Sequence, residues 1–214
     1  FFRMPRKLDA KYISEKVNTE DVKMLKKALE KGRGAIILTA HVGNWELGGV
    51  ILSLLGYPSV AIALPHKERP VNDLFNAQRE SKGITVVPPS MAIRRCIEAL
   101  KNNKIIAVLA DRDFTLHGEE LDFLGKKAFI PRGAAIFSCR TGAPLVPTFF
   151  VRNADDDGFT LIMEEPIEPP HFAKDGKNEE TCMLHLMKQY TALIERKIRE
   201  YPTQWLMFRE FWSR

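Results

Sequence analysis

Short apolar runs rich in β-branched residues alternate along this chain with longer segments of helical apolar spacing. Strands are predicted at 35–40, 59–63, 85–87, 105–110, 145–152 and 159–163, and helices at 21–31, 45–55, 71–82, 92–102, 134–141 and 179–200. A strand, a crossover helix and a second strand build a parallel sheet with helices on its faces. The alternation therefore predicts an α/β protein, a three-layer sandwich around a mostly parallel central sheet.

The composition fits one domain. With 214 residues, 45% hydrophobic and 28% charged, the chain is long enough for a sizeable core, and we expect residues 1–214 to form a single domain. No segment approaches the about 20 apolar residues that span a bilayer. The formal charge of +5 suits anionic lipid headgroups or an acidic protein partner. Basic residues dispersed among 27 acidic ones argue against nucleic-acid binding.

The cysteines and most of the histidines carry no recognisable ligand pattern. Cys96, Cys139 and Cys182 are widely separated and odd in number, so they indicate neither a disulfide framework nor a Cys-rich zinc site, and we expect a reduced, intracellular setting. Four histidines lack a partner at metal-ligand spacing, and we expect them at the surface or in packing: His66, His117, His171 and His185.

The most informative segment for chemistry is HVGNWE, residues 41–46, because it places an imidazole and a carboxylate between a predicted strand and a predicted helix. His41 should lie at the carboxyl edge of the sheet, where open α/β sheets bind ligands. An imidazole can take a proton from a hydroxyl if a neighbour fixes its tautomer, and Glu46 is the nearest candidate. Gly43 tolerates unusual backbone angles and Asn44 can cap the helix. The helix dipole also favours Glu46 there without any chemistry, so the motif alone leaves both interpretations open.

Further blocks follow HVGNWE and Leu47-Gly48-Gly49 in a fixed order. They are Arg69-Pro70-Val71-Asn72 with Arg79 and Gly83, Ala110-Asp111-Arg112-Asp113, Phe123-Leu124-Gly125, Pro131-Arg132-Gly133, Thr141-Gly142-Ala143-Pro144, and Pro202-Thr203-Gln204-Trp205. With these blocks the chain from about Gly34 to Trp212 resembles the bacterial lipid A biosynthesis acyltransferases. These are the lauroyl and myristoyl group of the lysophospholipid acyltransferase superfamily, whose signature is His, four residues, then Asp or Glu.

The resemblance implies a glycerol-3-phosphate acyltransferase-like fold and an O-acyltransferase that moves a fatty acyl chain from a thioester to a hydroxyl of a lipid A precursor-like acceptor. Its partners would be an acyl carrier protein or coenzyme A thioester, an amphipathic lipid and a membrane surface, at the cytoplasmic face of the inner membrane. No cofactor or metal is expected. The family usually begins with a hydrophobic anchor, and this sequence opens at Phe1 without one, so we expect a truncated or processed chain.

The predicted mechanism is direct transfer. His41 would deprotonate the acceptor hydroxyl, Glu46 would orient His41, and Arg79 or backbone amides would meet the oxyanion. The chain has no Gly-x-Ser-x-Gly elbow, and no covalent intermediate is needed. For Arg69 and Arg79 the resemblance implies binding of the acceptor's phosphate or a place at the catalytic centre, which suits their forked cations. Substrate binding is expected of these two and of six further residues: Asn44, Asn72, Asp111, Asp113, Arg132 and Gly133.

Two alternatives stay open at the level of sequence. The family often has Asp-Gln-Asp where this chain has Asp111-Arg112-Asp113, so the acceptor could be another glycolipid, such as a mannosylated lipid, or a lysophospholipid. A non-catalytic module that binds a lipid or an acyl carrier is the more distant reading. The apolar stripe of the last helix is predicted to be core, whereas the aromatic tail from Trp205 to Trp212 could pack inward or lie at a membrane interface.

Overall fold

The computed structural model describes residues 8–113, 117–170, 178–208 and 210–212. Within them the strands are β1 (Val17–Asn18), β2 (Ala35–Thr39), β3 (Ser59–Ile62), β4 (Thr85–Val87), β5 (Ile105–Leu109), β6 (Glu119–Phe123), β7 (Lys126–Ile130), β8 (Leu145–Arg152) and β9 (Phe159–Met163). Seven of them form one sheet in the order β1-β9-β8-β2-β5-β3-β4, and β6 pairs with β7 in a separate hairpin. Neighbouring strands of the large sheet run parallel except β8 and β9, which are antiparallel.

Helices cover both faces of this sheet. They are α1 (Ala10–Lys16), α2 (Val22–Leu29), α3 (Trp45–Leu54), α4 (Arg69–Glu80), α5 (Pro89–Lys101), α6 (Gly133–Thr141) and α7 (Glu179–Glu200). Alternate side chains of β2 enter different cores, because successive strand residues point to opposite faces. Ile36 and Leu38 pack with α5, α6 and α7, while Ala35 and Ile37 pack with α1, α2 and α3. The predicted α/β class and mostly parallel sheet are confirmed.

Four elements were not predicted: α1, β1 and the two strands of the β6–β7 hairpin. α1 is short and buries only Ile13, so it carries no clear apolar period, and β1 has two residues. The β6–β7 hairpin turns through Leu124 (φ 52°) and Gly125 (φ 84°). A two-residue turn with both φ angles positive normally uses Asn or Asp before Gly. The leucine in that position therefore removes the sequence pattern by which a hairpin turn is recognised.

The last helix is core, as its apolar stripe predicted. Met183, Leu186, Met187 and Tyr190 of α7 are buried against the sheet, and burial raises the pKa of the Tyr190 phenol. The Tyr190 hydroxyl donates a hydrogen bond to the carbonyl of Pro131 at 2.8 Å. This bond satisfies the polar end of a side chain that is otherwise surrounded by apolar groups.

The cysteine prediction was wrong for one pair. Cys139 of α6 and Cys182 of α7 form a disulfide, with their Cα atoms 6.2 Å apart. They are 43 residues apart in sequence, and it is the packing of α6 on α7 that brings them together. Cys96 is free and buried, and burial raises the pKa of its thiol to about 11.

None of the helices in the described ranges is long and apolar enough to cross a bilayer.

Candidate active site

Two neighbouring parallel strands bring His41 and Asp111 to the same edge of the sheet. β2 ends at Thr39 and β5 ends at Leu109, and these two residues are paired in the β2–β5 register. The amide of Ala110 still donates to the Thr39 carbonyl at 2.8 Å, which keeps the two chains together beyond the strand ends. The residues that follow each strand therefore emerge side by side at the carboxyl edge, where α/β sheets place their ligands.

The imidazole of His41 and the carboxylate of Asp111 are hydrogen bonded, with 2.8 Å between Nδ1 and Oδ1. Oδ2 of Asp111 accepts the backbone N–H of His41 at 2.8 Å and the indole N–H of Trp205 at 3.2 Å. The Asp111 side chain is fully buried, and that of His41 is 13% exposed. A carboxylate accepts hydrogen bonds, so this contact favours the tautomer that carries the imidazole proton on Nδ1 and a lone pair on Nε2.

The predicted role of Glu46 is corrected by this geometry. The carboxylate on His41 is that of Asp111, whereas both oxygens of Glu46 accept hydrogen bonds from Arg79. Nε of Arg79 donates to Oε2 of Glu46 at 3.1 Å, and Nη2 donates to Oε1. Glu46 lies in the first turn of α3, and its side chain reaches across to α4. Glu46 is the carboxylate nearest to His41 in sequence, but its position on α3 directs the side chain to Arg79.

The loop between β2 and α3 has the shape that sequence predicted. Asn44 is the helix N-cap, and its side chain accepts the Leu47 N–H at 3.0 Å. Gly43 has φ +68°, and a Cβ atom there would lie 2.1 Å from the carbonyl oxygen of Phe150. Any larger residue would push the loop off β8 and displace His41.

The C-terminal segment holds the other side of the same loop. The amide of Leu206 donates to the His41 carbonyl at 2.8 Å, and the Gly43 amide donates to the Gln204 carbonyl at 2.9 Å. Trp205 lies between these two bonds and packs against Phe123. The tail thus packs inward at Trp205, although Phe208 is 89% exposed.

Arg69 and Asn72, at the start of α4, make local contacts. The Arg69 side chain is 93% exposed and pairs with Asp73, four residues along the helix, at 3.6 Å. Asn72 accepts the backbone N–H of His66 at 3.2 Å. Neither contact joins these residues to His41 or Asp111.

Asp113, Arg132 and Gly133 also lie outside the His41–Asp111 hydrogen bonds described above. Asp113 accepts the N–H of Gly118 at 2.8 Å. Arg132 forms an ion pair with Glu180 of α7 at 2.8 Å. The guanidinium that was predicted to bind an anion is therefore paired within the protein. Gly133 is the first residue of α6.

An exposed apolar surface lies close to this edge. No residue of α4 is buried, although its spacing is amphipathic. Exposed apolar side chains occur on α4, on the loop after β3 and at the start of α5: Leu64, Val71, Leu74 and Met91. β3 and β4 are parallel to β5, so their carboxyl ends lie at the edge that carries His41. We refer to these four side chains as the α4 surface.

No cluster of three or more His, Cys, Asp or Glu residues suited to a metal ion occurs in the parts of the chain that the structure describes. His66 is stacked on Phe75, with ring centroids 4.6 Å apart, as expected of a packing residue. His171 lies outside the described residues.

A histidine held by a buried carboxylate at the carboxyl edge of an α/β sheet is an arrangement that enzymes use for general-base catalysis. Sequence comparison supplies the particular family. The profile described as bacterial lipid A biosynthesis acyltransferase matches residues 2–214, and the chain belongs to that family. Membership places it among the O-acyltransferases.

Several curated relatives carry acyltransferase names. A phosphatidylinositol mannoside acyltransferase of Mycolicibacterium smegmatis is 29% identical over 215 residues, which cover 99% of this chain and 67% of the relative. The protein of that name from Mycobacterium tuberculosis is 35% identical over 125 residues, 56% of this chain and 40% of the relative. The lipid A biosynthesis palmitoleoyltransferase of Escherichia coli is 24% identical over 191 residues, 88% of this chain and 59% of the relative. The chain thus spans between two fifths and two thirds of these relatives.

Proposed function

We propose that this protein transfers a fatty acyl group from a thioester to a hydroxyl of a glycolipid at a membrane surface, with His41 as the general base. The observation that carries the proposal is the 2.8 Å hydrogen bond between His41 Nδ1 and the fully buried Asp111. It holds the tautomer that a general base needs, and the family match supports acyl transfer as the reaction. A glycerol-3-phosphate acyltransferase-like fold is part of the same proposal.

The proton moves through Nε2 of His41. As the acceptor hydroxyl attacks the thioester carbonyl, Nε2 takes its proton and a C–O bond forms. Asp111 stabilises the imidazolium that results, because it lies against the opposite nitrogen. When the tetrahedral intermediate collapses, the C–S bond breaks and the thiolate takes the proton back from Nε2. No group of the protein is left modified, so acyl carrier protein or coenzyme A leaves as a free thiol.

Arg79 is the proposed oxyanion or phosphate partner. Glu46 uses Nε and Nη2 of the guanidinium, and Nη1 takes no part in that pair. The Arg79 side chain is 12% exposed, so the cation is held rigidly at partial burial, where its field is weakly screened. Glu46 therefore acts in this proposal as the residue that places Arg79.

The acceptor is proposed to be a mannosylated glycolipid rather than a lipid A precursor. The relatives named as phosphatidylinositol mannoside acyltransferases are 29% and 35% identical over their matched segments, against 24% for the lipid A enzyme. Arg112 between two aspartates, where the lipid A group often has Gln, agrees with a different headgroup. A lipid A precursor is the second candidate, supported by the family profile itself.

The α4 surface is the proposed membrane contact. Its apolar side chains are exposed on elements that follow the carboxyl ends of β3 and β4, and the charged residues Lys67, Glu68 and Arg69 lie among them. An amphipathic lipid could then pass its hydroxyl to His41 without leaving the bilayer. We propose that this contact is made at the cytoplasmic face of the inner membrane.

Release of free thiol tests the proposal. Acyl carrier protein and coenzyme A thioesters are offered with a mannosylated lipid, a lipid A precursor or no acceptor, to the wild-type chain, His41→Ala and His66→Ala. We expect acceptor-dependent release that falls about 10²- to 10⁴-fold in His41→Ala. His66→Ala should keep its activity, because the His66 side chain packs on Phe75 and its hydrogen bond to Asn72 is made by the backbone N–H. Equal release by His41→Ala and wild type would contradict the general-base role.

A further inference from the structure

Trp205 is 94 residues from Asp111 in sequence, yet its indole reaches that carboxylate. Asp111 accepts three hydrogen bonds from described residues: the ring and the backbone amide of His41, and the indole N–H of Trp205. Two of the three donors thus belong to His41, the residue that Asp111 is meant to hold. Trp205 is the donor that ties the carboxylate to a separate part of the fold.

We propose that Trp205 is a positioning residue for the reaction, which fixes the Asp111 carboxylate so that Oδ1 stays directed at Nδ1 of His41. The inference rests on the general-base role proposed for His41. Oδ2 is occupied by the Trp205 indole and the His41 amide, and this leaves Oδ1 for the imidazole. Without the indole, the carboxylate could rotate together with His41, because its other donors both move with that residue.

Ring contacts and backbone hydrogen bonds hold the Trp205 indole in place. Its ring contacts Phe123, Phe211 and Trp212, with centroids 5.3–6.3 Å away. We call these four residues the aromatic cluster. The backbone on either side of Trp205 is hydrogen bonded to residues 41–44, the HVGN loop, through Gln204 and Leu206. Because the ring and the backbone of Trp205 are both held in place, its indole N–H stays directed at Asp111.

The aromatic cluster also supplies a matched control. The indole N–H of Trp212 donates to the backbone carbonyl of Phe123 at 3.1 Å, so it makes a similar bond in the same cluster without touching Asp111. Trp205→Phe and Trp212→Phe each remove one indole N–H and keep an aromatic ring. Only the first removes a donor from the carboxylate on His41.

We expect Trp205→Phe to lower kcat about 10- to 100-fold and to leave KM within about twofold. The variant loses the hydrogen bond to the charged Asp111, which stabilises the imidazolium in the transition state, while substrate binding is unaffected. Trp212→Phe should stay within about twofold of wild type. In an Asp111→Asn background, Trp205→Phe should cause no further loss, because its effect passes through Asp111. Equal losses in the two tryptophan variants, or fully additive losses with Asp111→Asn, would overturn the proposal.

A measurement that needs no turnover separates this inference from the proposed function. The chain has three tryptophans, and Trp205→Phe assigns the Trp205 indole resonance in a ¹⁵N-labelled sample. Asp111→Asn should shift that resonance and leave that of Trp212 in place. An unmoved Trp205 resonance would refute the positioning contact even in an active enzyme. If it moves while the wild-type chain transfers no acyl group, the contact stands and the proposed function fails.

Discussion

At the scale of single residues, the two carboxylates of the site, Asp111 and Glu46, bind different partners. Asp111 is fully buried and bound to His41, while Glu46 is 26% exposed at the side chain and bound to Arg79. Each carboxylate thus faces a partner of a different kind, a titratable imidazole or a permanent cation. Because the guanidinium stays charged, the Glu46–Arg79 pair serves to hold geometry and takes no part in proton transfer.

Glu46→Gln should destabilise the protein by roughly 1–3 kcal/mol, because it leaves the mostly buried guanidinium of Arg79 with a neutral partner. Urea unfolding of the variant and of wild type measures this difference. Glu80→Gln, an exposed change on the same helix as Arg79, is the control and should stay within about 0.5 kcal/mol. An unchanged urea midpoint in Glu46→Gln would show that the pair does not contribute to stability.

Adding Arg79→Gln to Glu46→Gln tests whether the two side chains act as a pair. The second change should cost less than it does alone, since the charge that needed a partner has gone. Full additivity would mean that each residue acts through other contacts.

At the scale of elements, α6 and α7 are linked covalently as well as by packing. The Cys139–Cys182 disulfide joins a nine-residue helix, which follows the hairpin, to the longest helix of the described chain. α7 in turn carries Glu195, which accepts the Leu124 amide of the β6–β7 turn at 2.9 Å. The disulfide therefore stabilises the same region that supports Phe123 of the aromatic cluster.

Reduction of this disulfide should lower the free energy of unfolding by about 4 kcal/mol, the chain-entropy value for a loop of this length. Urea unfolding with and without reductant measures the change. Cys139→Ala combined with Cys182→Ala is the control, and reductant should not change its midpoint. A wild-type midpoint that does not respond to reductant would contradict the disulfide.

Cys96 should not disturb that experiment. Burial raises the pKa of its thiol to about 11, so at pH 8 it is protonated and shielded. Without reductant, the folded protein should therefore resist alkylation at all three cysteines.

At the scale of the whole molecule, the sheet brings the proposed general base and the proposed membrane contact to one edge. His41, Asp111 and the α4 surface all follow the carboxyl ends of parallel strands. The opposite edge carries the end of α3 at Leu54, since α3 runs back along the sheet from Asn44. This polarity predicts that one end of the molecule faces the bilayer and the other faces away from it.

Leu74→Asp should weaken binding to vesicles that contain anionic lipid by roughly tenfold or more, because the change removes an apolar contact and adds a repelled charge. Co-sedimentation with the vesicles measures it. Leu54→Asp is the matched control, since Leu54 is 40% exposed and Leu74 is 43% exposed. Equal loss in both variants would show that the α4 surface is not the membrane contact.

Most of the strands and helices could be predicted from the sequence because their signals are local. The β-branched run at 35–40 and the stripe at 179–200 each contain the pattern that buries them, and both elements formed within a residue or two of the predicted bounds. The conformation of the HVGN loop could also be predicted, since a glycine and an N-capping asparagine act on their immediate neighbours. The β6–β7 hairpin was missed because Leu124 occupies a backbone region that leucine rarely adopts.

What the sequence determined by itself is therefore the class of fold, the family and the position of His41 at a strand end. Only the tertiary structure decided what His41 meets. Asp111 is 70 residues away, and it reaches the imidazole because β5 lies next to β2 in the sheet. Trp205 and the Cys139–Cys182 pair depend in the same way on packing between distant segments. Local patterns determine secondary structure, whereas the partner of His41 is determined by strand order and helix packing.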